Sequence, residues 1–277
     1  MPFDAPPKTP AVAPQRAHGV ARLTARRRGP VSVIDGLRQS GAFKLLFPRP
    51  RDTALDAVFL NTSGGITGGD RFALTAGAEA GAHLRLTSQA AERIYRAMPG
   101  VPGQVRTVLS AESGARIDWL PQETILFEGA ALDRTLRIEL AAEARLLACE
   151  TLVFGRAAMR ETVRDLRLTD RIDVLREGRL VWADRLRLEG DAQASLDRRF
   201  VAAGAQALAT LVWAAPGAAE RVGALRSLLP ESGGASAVLP DLVVLRLAAP
   251  DSFELRRHLI PVLQHLSGAA LPRPWMI

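Results

Sequence analysis

The sequence predicts a mainly β protein: a single large domain of antiparallel strands, a β-helical or sandwich-like scaffold, with two helices in the C-terminal third. From Val20 to about Leu188 apolar residues recur at alternate positions, as in Val105–Leu109, Ala115–Trp119, Leu136–Leu140 and Leu180–Trp182. A period of two puts one face of a strand inward and the other outward. Turn signals at Ala76-Gly77, Ala80-Gly81, Ser113-Gly114 and Glu177-Gly178 divide the pattern into short strands, which favours tight antiparallel connections. Parallel strands would need a helical crossover, and this stretch holds none. Ala57–Leu60, Asp133–Leu140 and Ala144–Val153 read as further strands.

The last third changes period. Val222, Leu225 and Leu229 have helical spacing within Ala218–Leu229, and Pro230 stops that helix. Val238–Leu247 reads as one strand. Asp251 or Ser252 then caps a second helix, with Leu255, Leu259, Val262, Leu263 and Leu266 on one face and Gly268 beyond its end. Pro261 is expected to kink it or mark its start. Residues 1–17 form a Pro- and Ala-rich tail expected to be disordered, leaving 18–277 as the domain.

The chain has 277 residues, 48% of them apolar, enough for a substantial core. No apolar run approaches the ~18 residues of a membrane-spanning helix; Val201–Ala215 is broken by Gly204 and Gln206. The N-terminus has no secretory pattern, and a lone cysteine, Cys149, rules out a disulfide framework. A cytoplasmic location fits both. Of 36 basic residues only Lys8 and Lys44 are lysine, leaving 34 arginines and a net charge of +7. Such a balance permits acidic partners, protein or nucleic acid. A basic β-rich nucleic-acid-binding module is the alternative reading. Against it, aromatics are only 5% of the residues and do not interleave with basic ones as in stacking platforms.

Catalytic signatures are missing from the sequence: no Gly-x-Ser-x-Gly elbow, no His-Glu-x-x-His, no phosphate-loop lysine. His18, His83, His258 and His265 are scattered. The strongest local feature is Asn61–Asp70, with two Gly-Gly pairs in ten residues after an apolar strand. Paired glycines point to positive φ. The loop reads as a backbone nest for an anion, as paired turns that place Asp70, or as a connector. With no helix or lysine following, the structural turn is the simplest. Glu92, Arg93 and Arg96 read as a solvated charge run beside the only tyrosine, Tyr95.

Taken together, Asn61–Asp70, Thr87–Arg96, Leu120–Phe127 with Gly129, Glu150–Arg156 with Glu161, Asp184–Leu186 and Leu271–Trp275 resemble, in this order, the UreD family of urease accessory proteins, called UreH in some systems. The resemblance runs from about Val20 to the C-terminus. One position departs: Arg160 stands where the family usually has glycine. The resemblance implies a largely β fold with two helices and no catalysis by this subunit. It also implies binding to UreF, through UreF to the GTPase UreG, and directly to apo-urease, with an accessory complex that can dimerise. Nickel would pass through such a complex into the urease metallocentre. No cofactor would be held tightly, no nucleic acid or membrane is implied as a partner, and Ni²⁺ would be in transit.

Transit constrains the residues. A conduit must bind its cation well enough to admit it and weakly enough to release it. Carboxylates, carbonyls and waters do this, whereas several Cys and His ligands would trap nickel. Asp70, Glu92, Glu150 and Asp184 lie in or beside the motifs and are the candidate metal-path residues. Each has an ordinary alternative, pairing with a neighbour such as Arg71, Arg93, Arg156 or Arg185.

Overall fold

Alternation of inward apolar and outward polar residues builds two long sheets that face each other. The computed structural model describes residues 15–276; most of the tail expected to be disordered, residues 1–14, lies outside them. Two hairpins open the fold: β1 (His18–Arg28) with β2 (Val31–Gly41), and β3 (Phe43–Leu46) with β4 (Leu55–Asn61). The chain then coils through β5 (Arg71–Ala78), β6 (His83–Ser88), β7 (Glu92–Ile94), β8 (Gly103–Ala111), β9 (Arg116–Trp119), β10 (Thr124–Leu126), β11 (Ala130–Leu140), β12 (Arg145–Phe154) and β13 (Leu166–Arg176). It closes with β14 (Arg179–Gly190), α1 (Ala192–Leu196), β15 (Ala207–Ala214), α2 (Val222–Ser227), β16 (Gly233–Leu239), β17 (Leu242–Ala249) and α3 (Ser252–Ser267).

One sheet has the order β14-β13-β11-β8-β5-β1-β2. The other runs β16-β17-β15-β12-β9-β6-β4-β3, with β7 and β10 joined to it through β12. The mainly β class and the two C-terminal helices match the expectation. Strand direction does not. β1, β5, β8, β11 and β13 pair parallel, as do β4, β6, β9 and β12. Antiparallel pairing is confined to the terminal hairpins and to β12–β15–β17. The rule that parallel strands need a helical crossover presumes that the return runs outside the sheet. Here each return is itself a strand of the opposite sheet, so the middle of the chain is a solenoid.

The solenoid has two unlike flanks. One is made of tight turns near 79–82, 112–115, 141–144 and 177–178; the other carries the longer segments 62–70, 89–102, 120–129 and 155–165. Three of the expected turns fall on the tight flank, whereas Ala76-Gly77 lies inside β5. Val238–Leu247 is two strands turned at Pro240-Asp241 rather than one.

The main core lies between the sheets, with Leu23, Leu74, Leu109 and Ile138 facing Leu84, Leu86, Ile117 and Leu146. A second core covers the back of the other sheet, where Leu147, Leu211 and Leu245 meet Leu255, Leu259 and Leu263 of α3. β12 is therefore buried on both faces. Asp251 caps α3 by accepting from the Glu254 amide at 2.9 Å, and Gly268 ends it at φ 65°. Pro261 sits inside the helix, which continues past it. No helix of the described residues is long and apolar enough to cross a membrane.

Candidate functional site: a charged cavity between the sheets

A charged residue in the inward phase of an alternating strand must find a partner inside the core, because an unpaired buried charge is costly. Three strands make this departure at one place. Arg134 stands between Leu132 and Leu136 on β11, Asp170 between Leu168 and Ile172 on β13, and Glu150 between Ala148 and Leu152 on β12. Arg134 and Asp170 are register partners across β11–β13. The guanidinium donates Nε to Asp170 Oδ1 at 2.9 Å and Nη2 to Oδ2 at 2.6 Å. Its Nη1 reaches the facing sheet, donating to Glu150 Oε2 at 2.5 Å and Thr124 Oγ1 at 3.0 Å. Trp119 Nε1 donates to the other oxygen of Glu150 at 2.7 Å. Burial holds the Glu150 pKa above the ordinary carboxylate value, with Asp170 adding to the push; burial opposes the charge on Arg134, but Asp170 and Glu150 together hold its pKa above the ordinary value. One guanidinium faces two carboxylates, so the cluster is short of one positive charge.

This cluster borders a cavity of about 70 Å³ between the sheets, room for a few waters. Arg134, Glu150 and Thr124 line one side; Ser88, Glu92 and Gln122 line another, with Phe43, Phe59, Phe72 and Trp119 among the apolar walls. Phe59 stacks on Trp119 with ring centroids 5.1 Å apart. The Gln122 Nε2 is buried with no protein partner, a donor left for a polar guest. Glu92 points inward from β7 on the same side as buried Ile94. Phe59, Ser88 and Glu92 also line a surface groove with Asn61, Gly64 and Arg93. Glu92 thus belongs to the wall shared by the interior and the surface.

Burial is the larger influence on Glu92 and pushes its carboxyl from the ordinary 4.5 up to about 7, against a hydrogen bond from Asn61 Nδ2 at 3.3 Å. The sign for stability follows. Between those two values the folded chain keeps a proton that the unfolded chain has released, so this group makes stability fall as pH rises through the window. Calorimetric Tm values taken from about pH 5 to pH 8 should show wild type losing ground to Glu92→Gln. Parallel Tm curves for the two proteins would contradict the burial of this carboxyl.

Of the four candidate path residues, the structure brings Glu92 and Glu150 to one cavity and leaves Asp70 and Asp184 outside it. Both oxygens of Asp70 accept backbone N–H groups, from Ala17 and Thr67, each at 2.8 Å. Gly64, Gly65 and Gly69 have φ of 84°, 151° and 87°, so Asn61–Asp70 is the turn that places Asp70. A Cβ on Gly65 would lie 2.3 Å from the Tyr95 ring, which the loop therefore seats. Asp184 pairs with Arg246 of β17 at 2.6 Å and stands opposite Ile172 of β13, outside the cavity lining. Arginine pairing thus holds for Glu150 and Asp184, but with Arg134 and Arg246 rather than chain neighbours. Glu92 is no part of a solvated run: only Arg93, Tyr95 and Arg96 face outward.

The terminal segment shapes the cavity wall. Arg256 of α3 donates to Gln122 Oε1 at 2.7 Å, Glu123 Oε1 at 3.1 Å and the Trp275 carbonyl at 2.9 Å. Trp275 Nε1 donates to the Leu120 carbonyl at 2.8 Å. Gln122 N in turn donates to Ser88 Oγ at 2.8 Å. Sequence reasoning missed Arg134, Asp170, Thr124 and Arg256; the signal for the first two was a charge in the apolar phase of a strand. Arg160, standing where glycine was expected, has φ 51°, the left-handed conformation glycine adopts freely. Among the described residues no group of three or more His, Cys, Asp or Glu is arranged to hold a metal. Cys149 faces the second core, and burial pushes its thiol pKa up, away from the thiolate that binds metals.

Comparison with known proteins extends the picture. A family model described as UreD urease accessory protein matches residues 17–276. A Roseobacter denitrificans protein named urease accessory protein UreD is 48% identical over 262 residues, 95% of this chain and 96% of its own length. Proteins of the same name from Ruegeria pomeroyi and Ruegeria sp. are 49% and 50% identical, over 92% and 95% of this chain and 99% and 92% of theirs.

Proposed function

Because this chain belongs to the UreD family of urease accessory proteins, we propose that it is a non-catalytic cytoplasmic scaffold of urease maturation, working with UreF, through UreF with UreG, and with apo-urease, and that Ni²⁺ passes through the cavity beside Glu92 on its way to the metallocentre. The observation that carries the transit is Glu92 in a wall common to an interior polar cavity and a surface groove. Ni²⁺ is cargo here, and the donor set suits cargo. Carboxylate, hydroxyl and amide oxygens bind a divalent cation exchangeably, and the negative excess around Arg134 favours its entry. Glu150 is fully engaged by Arg134 and Trp119, so Glu92 is the carboxylate open to a passing ion and Glu150 sets the field.

The test is deletion with complementation. A strain lacking this chain, grown at ordinary nickel, should make urease that is poor in nickel and nearly inactive, and restoring the chain should restore both. Full nickel content without the chain would refute the reading.

A further inference from the structure

Resting on the accessory-protein reading above, we propose that the long-segment flank of the solenoid, around the groove beside Glu92, is the docking face for a protein partner that presents a carboxylate-rich segment. Aromatic and basic side chains from successive coils line up there. Tyr95 meets Phe127 edge-on at 5.1 Å, and the Arg156 guanidinium lies 4.5 Å over the Phe127 ring. Met98 and Met159 stand out from the same flank, 69% and 67% exposed. Arginine, tyrosine and methionine are the types enriched where proteins meet, because they offer broad contact area with a polar end.

The charge on this flank specifies the partner. Two of its carboxylates, Glu128 and Glu161, are used internally, and Asp165 is the exposed one. Glu128 Oε2 accepts from the amides of Arg164 and Asp165 at 2.6 and 3.2 Å. Glu161 takes two bonds from the Arg156 guanidinium, at 2.8 and 2.9 Å, which hold its pKa below the ordinary value. Arg93 and Arg160 are exposed and make no ion pair among the described residues, and Arg96, with its side chain 65% exposed, has only a 3.9 Å contact to Glu128. Guanidiniums without carboxylates, set among apolar groups, call for carboxylates from outside. The groove lined by Asn61, Glu92 and Arg93 opens within this face, so a partner seated there would cover the opening and keep a transferred cation from bulk solvent.

The experiment uses the full chain with purified apo-urease and, separately, purified UreF. The triple variant Arg93→Glu, Arg96→Glu, Arg160→Glu is compared with Arg22→Glu, Arg27→Glu, Arg28→Glu, an equal charge change on β1 of the first hairpin. Binding to one of the two proteins should weaken about tenfold or more in the flank variant and not in the hairpin variant, and the wild-type affinity should fall as salt rises. If the flank variant does not fold, the milder Gln triple at the same positions carries the test, with Tm as the check on folding. Unchanged binding to both proteins by a folded flank variant overturns the docking face while leaving the accessory role standing. A wild-type chain that binds neither protein overturns both.

Discussion

Arg134→Leu should cost about 3–5 kcal/mol of folding stability, because it leaves two carboxylates buried without their cation. Arg134 donates four hydrogen bonds, two to Asp170 and one each to Glu150 and Thr124; the donors Nε, Nη1 and Nη2 all point at acceptors between 2.5 and 3.0 Å. Its side chain and those of Glu150 and Asp170 are each less than a tenth exposed, so water cannot replace the guanidinium. Urea unfolding measures the loss directly. A drop below about 1 kcal/mol, the scale of a surface pair, would mean that the cluster is hydrated and loosely held. The companion variant Arg134→Leu, Glu150→Leu, Asp170→Leu should recover most of that stability, since a buried ion cluster replaced by packed apolar groups is often neutral or better. It should nonetheless fail to support nickel delivery, because the field that admits a cation is gone. Recovery of fold without recovery of function separates the two roles of these residues.

The period-two pattern made the strands legible and said little about their direction, since a strand facing a core alternates in either direction. Direction was decided by where the returns go. The turns at Ser113-Gly114 and Glu177-Gly178 are short because they cross between facing sheets or join a hairpin, and both uses look alike in sequence. The ends of α3 were more readable because Asp251, Gly268 and the leucine spacing act locally. At the cavity, the motif around Glu150 was visible, but its partner Arg134 is 16 residues away and is set by sheet register. Glu92 was obscured by the exposed arginines beside it. Its inward direction comes from the short β7, whose pairing with β10 no local pattern announces. Asp70 drew notice because glycines surround it, and those glycines explain it as the clamp of a turn.

Glu92→Ala should lower the nickel content of urease several-fold while leaving assembly intact. The side chain makes one hydrogen bond, from Asn61 at 3.3 Å, and no ion pair among the described residues, so its removal costs the fold little. It also leaves the shared wall of cavity and groove without its carboxylate, and an apolar constriction is a barrier to a hydrated cation. Asp184→Ala is the matched control: it too removes an inward carboxylate, but one that is paired with Arg246 and does not line the cavity. The deciding measurement is nickel per urease active site, by metal analysis of urease purified from cells carrying each variant, at equal yield of the accessory complex. The account predicts nickel-poor urease with Glu92→Ala and near-normal nickel with Asp184→Ala; full nickel occupancy with Glu92→Ala would contradict passage through this cavity.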